Sequence, residues 1–88
     1  MGTLKGRINC SYQALATAFG TPWLYPAGEK VSVEFSSLMG FKIYNWENGP
    51  EFTGVTVEDI TEWCVEGEND SVMAFILTQL GDHASEAA

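Results

Sequence analysis

Carboxylates form the largest group of residues that could do chemistry. Residues 45–88 contain ten Asp and Glu and no Lys or Arg, whereas residues 1–44 contain all four cations and two carboxylates. Clustered carboxylates can imitate the phosphates of a nucleic acid and occupy a cationic groove. The alternative is a solvated rim that keeps a small protein soluble. Five carboxylates are the candidates for partner binding: Glu58, Glu62, Glu66, Glu68 and Asp70.

The net charge of -8 excludes one class of function. A protein that binds nucleic acid needs clustered Lys and Arg to neutralise phosphates. We therefore expect no direct nucleic-acid binding and a cationic partner instead.

A second constellation combines aromatic and cationic residues. Trp or Tyr beside a cation could stack on a base and hold its phosphate. The candidates for such a ligand site are Arg7, Lys42, Tyr44, Trp46 and Trp23. A symmetric interface would double these few cations, and self-association would also stabilise so short a chain. We expect a homo-oligomer, although core packing is the default explanation for most of the aromatic residues.

Catalytic and metal-binding patterns are weak. The lone His83 lies in a tail that should fray, and nothing positions it beside Cys10 or Cys64 as a nucleophile pair. A calcium loop needs Gly at its sixth position and Glu at its twelfth, where this sequence has Ser71 and Leu77. The sequence predicts a protein that is not an enzyme and has neither a metal nor a cofactor.

The cellular location follows from patterns that the sequence lacks. It has no basic N-terminal segment followed by an apolar run, and no apolar stretch near the ~20 residues of a membrane span. We expect a cytoplasmic protein with no membrane association. Cys10 and Cys64 are then predicted to be reduced, half-buried thiols.

The first elements are an edge strand and a helix. Leu4, Gly6 and Ile8 alternate with Lys5 and Arg7, which predicts a short edge strand with both cations on its outer face. Ser11 is a candidate N-cap for a helix over 11–19 that Gly20 and Pro22 end.

A hairpin and a third strand follow the loop at 21–30. Val31, Val33 and Phe35 alternate with polar residues, and Gly40 marks a turn into a strand that contains Phe41, Ile43 and Asn45. Both faces of this second strand are partly apolar, so one face is a candidate contact surface. After a loop over 47–56, a third strand is predicted at 59–66.

The final helix is predicted over about 70–80, where Asn69 or Asp70 is its cap. The sequence thus predicts an α+β fold: a three- to four-stranded antiparallel sheet with an N-terminal helix (about 11–19) and a C-terminal helix (about 70–80) on one face. Residues 1–81 form a single domain, and residues 82–88 form a frayed C-terminal tail.

Three stretches carry a family resemblance: Phe19-Gly20-Thr21-Pro22, Ile43-Tyr44-Asn45-Trp46-Glu47-Asn48-Gly49 and Asp59-Ile60-Thr61-Glu62-Trp63. In this order they resemble small acidic accessory proteins of bacteriophages and prophages, across roughly Ser11 to Leu80. The sequence departs from that group at Ser37-Leu38-Met39-Gly40, where other members tend to have an Asp-Gly turn.

The resemblance implies a non-catalytic inhibitor of bacterial defence that acts in the host bacterial cytoplasm. Its partner would be a host defence protein or nuclease complex, bound at a cationic nucleic-acid groove as anti-CRISPR proteins and DNA mimics are. The first alternative is an oligomeric sponge that sequesters a small nucleotide immune signal. The second is a virion assembly protein.

Overall fold

The computed structural model describes residues 2–87, which form a six-stranded antiparallel sheet and three α-helices. The strand order is β2-β3-β4-β5-β1-β6. The strands are β1 (Thr3–Cys10), β2 (Trp23–Leu24), β3 (Val33–Ser37), β4 (Phe41–Tyr44), β5 (Glu62–Gly67) and β6 (Ala84–Glu86). The helices are α1 (Tyr12–Phe19), α2 (Pro50–Thr53) and α3 (Ser71–Leu80), with 3-10 turns at Val57–Asp59 and Gly81–His83. The predicted α+β class is correct, but three to four strands is an underestimate.

The first helix is confirmed with its predicted ends. The Ser11 hydroxyl accepts a hydrogen bond from the backbone N–H of Ala14. Gly20 follows the last turn at φ 89° and donates its N–H to the carbonyl of Ala16. Because the cap and the stop are both local interactions, the sequence pattern was sufficient to place this helix.

Helices α1 and α3 contact each other and pack on one face of the sheet, where they bury the core. Trp63 is the largest buried side chain, and its indole N–H donates to the carbonyl of Cys10 at 2.8 Å. Phe35 meets the Trp63 ring edge-on, with 5.8 Å between the ring centroids. The other inward-facing core positions of the sheet are Ile8, Cys10, Val33, Phe41, Ile43 and Val65.

Strand β1 differs from its prediction. It is an interior strand between β5 and β6, not an edge. An irregularity between Leu4 and Gly6 breaks its alternation, and Gly6 there adopts φ 148°, a conformation that favours glycine. The two cations therefore have separate partners: Lys5 pairs with Asp70 beside the start of α3, and Arg7 pairs with Glu62 on β5.

The C-terminal residues form structure where fraying was predicted. Gly81–His83 form a 3-10 turn, and Ala84–Glu86 become edge strand β6, in register with Ile8, Asn9 and Cys10 of β1. The polar composition of this segment does not predict a strand. The segment becomes one because it pairs with the backbone groups of β1 that β5 does not use. Ala88, the end of the predicted tail, lies outside the described residues, as does Met1.

Several predicted boundaries shift by a few residues. The 21–30 loop contains the two-residue strand β2, and the 47–56 loop contains the short helix α2. The third predicted strand begins at Glu62 instead of residue 59, because Val57–Asp59 forms a 3-10 turn. Pro50 starts α2 at a position where its missing N–H costs nothing.

The two cysteines lie on opposite faces of the sheet. Cys10 is buried in the core, whereas Cys64 lies between the inward-facing Trp63 and Val65 and points to the other face. Both are free thiols, and burial raises the pKa of each. The sheet separates them, so this fold does not bring them together as a disulfide.

Candidate binding surface

The face of the sheet opposite α1 and α3, here called the uncovered face, carries the candidate site. One cross-strand row runs over five strands as Trp23, Glu34, Tyr44, Cys64 and Arg7, each in register with the next. A neighbouring row runs as Ser36, Lys42, Glu66 and Leu4. The row positions follow from the pairing register, because alternate residues of each strand share a face.

The uncovered face brings together the predicted aromatic and cationic set. Arg7, Lys42, Tyr44 and Trp23 occupy the two rows, and Trp46 follows directly after β4. Trp23 is 66% exposed and Trp46 50% exposed, so these rings lie largely outside the core. Trp23 lies toward the β2 edge, away from Arg7 on β1, so the set spans the sheet and is not one compact pocket.

Three members of that set line one cleft that spans the neighbouring strands β4, β5 and β1. The cleft has a volume of about 360 Å³, and its lining includes Arg7, Tyr44 and Trp46. The other lining residues are Leu4, Asn48, Glu62, Trp63 and Cys64. A concave site with aromatic walls and a few polar groups has the general character of a ligand site, at the small end of the usual size range.

Charged groups at the cleft are held by short contacts within the chain. Arg7 Nη1 lies 3.3 Å from Glu62 Oε1, and Lys30 Nζ lies 5.4 Å from the centroid of the Trp46 ring. Asn48 donates its Nδ2 to the carbonyl of Glu62 at 2.9 Å, while its buried Oδ1 has no hydrogen-bond partner among the described residues. The cleft lining therefore contains one cation, one carboxylate and an unsatisfied acceptor, and Lys30 lies beside one of its aromatic residues.

Two tyrosines hold carboxylates on the uncovered face. Tyr44 donates its hydroxyl to Glu66 at 2.7 Å, and Tyr25 donates to Glu34 at 3.0 Å. Burial first, and then the hydrogen bond to Glu66, raises the pKa of Tyr44. The hydrogen bond to Glu34 is the main cause of the raised pKa of Tyr25. Both hydroxyls therefore remain protonated donors at neutral pH.

The five predicted partner-binding carboxylates are spread from one end of β5 to the other. Glu62 and Glu66 lie on the uncovered face, where they contact Arg7 and Tyr44. Glu68 and Asp70 lie in the turn that follows β5, and Asp70 pairs with Lys5 at 3.1 Å. Glu58 precedes β5, in the 3-10 turn that contacts α1.

Glu34, Lys30 and Asn48 are residues of this surface that the predicted set of site residues does not include. Glu34 alternates with Val33 and Phe35, so its outward direction was readable, but its place beside Tyr44 depended on the hairpin register. Lys30 and Asn48 lie in loops, whose positions relative to the sheet have no local signal. Their contacts with Trp46 and Glu62 arise only on folding.

Residues 2–87 contain neither a candidate membrane-spanning helix nor a candidate metal-binding cluster. No helix in this part of the chain is long and apolar enough to cross a membrane. Within the same residues, no group of three or more His, Cys, Asp or Glu side chains could hold a metal ion.

Comparison with protein-family models, with curated proteins and with solved structures finds no match to this chain.

Proposed function

We propose that this chain is a non-catalytic inhibitor of the kind that bacteriophages direct against bacterial defence in the host cytoplasm. It docks its uncovered face on a cationic, nucleic-acid-binding surface of a host nuclease complex. One observation carries the proposal: the uncovered face combines the carboxylates of Glu34, Glu62 and Glu66 with exposed aromatic rings. Protein interfaces are rich in Trp and Tyr, and charge complementarity between two partners makes their association faster and more specific.

The charge balance supports a cationic partner over a nucleic acid. The whole chain contains twelve carboxylates and four cations. Three of those cations are already engaged, since Lys5 contacts Asp70, Arg7 contacts Glu62 and Lys30 lies over Trp46. The excess of carboxylates would repel a phosphate backbone, whereas a basic protein surface would be attracted over several ångströms.

A charge-reversal experiment tests this proposal. A triple variant with Glu34, Glu62 and Glu66 changed to Lys reverses the uncovered face. A matched triple at Glu29, Glu51 and Asp82, all exposed, changes the net charge equally at other sites. Both are expressed in bacteria that carry a defined nuclease defence, and plaque formation by a sensitive phage is counted.

Wild type and the matched triple are expected to restore plaques, and the uncovered-face triple is expected to fail. Circular dichroism of both triples verifies that they fold. If the uncovered-face triple protects the phage as well as wild type does, the proposed docking surface is wrong. If wild type restores plaques against none of a panel of nuclease defences, the inhibitor function itself is wrong.

A second candidate function, a sponge for a small nucleotide signal, is favoured by the cleft. There Arg7 lies beside Tyr44 and Trp46, as a phosphate-binding cation and stacking rings would. Such a protein would gain thermal stability with a cyclic or ADP-ribose-like nucleotide. It would also be expected to assemble as a homo-oligomer, which its mass in solution would reveal. Unchanged Tm across a panel of these nucleotides would eliminate this function.

A further inference from the structure

The cleft on the uncovered face already accommodates a guanidinium group from its own chain. Arg7 Nη1 donates to Glu62 Oε1 at 3.3 Å, and the two side chains are 57% and 48% exposed. Exposed ion pairs of this kind contribute little to stability. A second guanidinium from outside could therefore compete for Glu62 without a large loss of folding energy.

The aromatic walls of the cleft suit a cation as well. Lys30 does not line the cleft, but its Nζ lies 5.4 Å from the centroid of Trp46, within the distance range of a cation–π contact, so this ring already interacts with a cation. Tyr44 lines the same cleft, and its hydroxyl is held by Glu66. A planar guanidinium can stack on such rings while its edge donates to a carboxylate, whereas an ammonium group acts as a point charge.

We infer that this cleft receives an arginine side chain from the basic partner, with Glu62 as its acceptor and Tyr44 and Trp46 as its walls. Arg7 is then an internal competitor that occupies Glu62 in the free protein and limits the affinity. The cleft volume of about 360 Å³ is sufficient for one long side chain. The inference rests on the proposed function, because it assigns the cationic partner a contact point.

Removal of Arg7 separates this inference from its alternatives. Fluorescence anisotropy would measure the binding of labelled hexa-arginine and hexa-lysine peptides at low salt to wild type, Arg7→Gln and Lys5→Gln. Lys5 is the matched control, since it has the same charge and pairs with Asp70 away from the cleft. We expect Arg7→Gln to tighten hexa-arginine binding about fivefold relative to Lys5→Gln, because it frees Glu62.

The outcomes distinguish the inference from the proposed function. Equal tightening by both variants means that only net charge matters, which overturns the arginine cleft but leaves the acidic docking surface standing. A wild type that binds neither peptide at low salt contradicts the cationic partner and the cleft together. Weaker hexa-arginine binding by Arg7→Gln than by Lys5→Gln also overturns the inference.

A second variant tests the aromatic wall. Trp46 is half exposed, so Trp46→Ala should fold, which its Tm verifies. Wild type is expected to prefer hexa-arginine over hexa-lysine, and Trp46→Ala is expected to lose most of that preference. If wild type binds the two peptides equally, or if the preference survives in Trp46→Ala, stacking in this cleft is excluded.

Discussion

At the scale of single residues, Tyr44 and Asn45 are neighbours at the end of β4 whose side chains point to opposite faces of the sheet. Asn45 is fully buried, and its Oδ1 accepts from the backbone N–H groups of Ser32 and Val33, each at 2.8 Å. It thereby ties the start of β3 to the end of β4. Tyr44 faces the other way and holds Glu66.

Asn45→Leu should be strongly destabilising. It leaves the two N–H groups of Ser32 and Val33 without their acceptor, and an unsatisfied buried group costs about 1–3 kcal/mol. We expect the free energy of unfolding to fall by about 2–4 kcal/mol in urea titrations. Asn9→Leu, at an exposed position of β1, is the control and should change stability by less than about 0.5 kcal/mol. A loss below about 1 kcal/mol at Asn45 would mean that water replaces the amide.

Tyr44→Phe should change the response of stability to alkaline pH. Burial and Glu66 raise the folded-state pKa of Tyr44 above the unfolded value near 10. The resulting stability is fully present below about pH 10 and is lost as the pH rises beyond it. The variant lacks this group, so its free energy of unfolding should fall less than that of wild type between pH 9 and 11. Equal losses in the two proteins would contradict the assignment.

At the scale of elements, β6 decides whether β1 is an interior or an edge strand. It pairs with β1 at Ile8, Asn9 and Cys10, and Ala84 packs against the core. On its other side β1 pairs with β5, and this pairing places Arg7 at the cleft. The C-terminal segment thus supports the strand on which the candidate site depends.

Removal of residues 84–88 should therefore destabilise the whole domain. It deletes β6 and exposes the edge of β1, so we expect Tm to fall by about 5–15 °C, which corresponds to about 1–2 kcal/mol. Removal of residues 87–88 alone keeps β6, loses the bond from the Ala87 N–H to the Arg7 carbonyl, and should lower Tm much less. Equal Tm values for wild type and the longer deletion would show that β6 contributes nothing.

At the scale of the whole molecule, folding interleaves the two halves of the charge distribution. Lys5 and Arg7 from the first half reach Asp70 and Glu62, which lie 65 and 55 positions later. Lys42 lies in register with Glu66 across β4 and β5. The local asymmetry of the chain is thus partly neutralised along β5, although the net charge of -8 remains.

That net charge predicts a positive effect of salt on stability. Repulsion among twelve carboxylates opposes the folded state, and salt screens exposed charges beyond about 10 Å at 0.1 M. Tm should rise by a few degrees as NaCl increases from about 0.05 to 0.5 M, a change that calorimetry can follow. A fall in Tm would instead mean that ion pairs such as Lys5–Asp70 and Arg7–Glu62 outweigh the general repulsion.

The sequence alone determined the features that local interactions decide. The Ser11 cap, the Gly20 stop and the apolar spacing placed α1, and strict alternation of apolar and polar residues predicted that Val33 and Phe35 share one face of a strand, which the structure buries. For the next strand, alternation placed Phe41 and Ile43 on one face but did not decide that this face is the core. It also supplied the residue types of the candidate site, including Arg7, Tyr44 and Trp46. The spacing of apolar residues, with a period of 2 in a strand and 3.6 in a helix, is visible within a short segment. These predictions therefore needed no information about contacts between distant residues.

Only the tertiary structure decided which of those residues meet. The strand order places β1 beside β5 and β4 beside β5, and so brings Arg7, Tyr44 and Trp46 to one cleft. The irregularity at Leu4 and Gly6 sends Lys5 and Arg7 to different partners, and β6 forms only because β1 offers it an edge. Strand neighbours and register are set by contacts between distant residues, which no local spacing encodes.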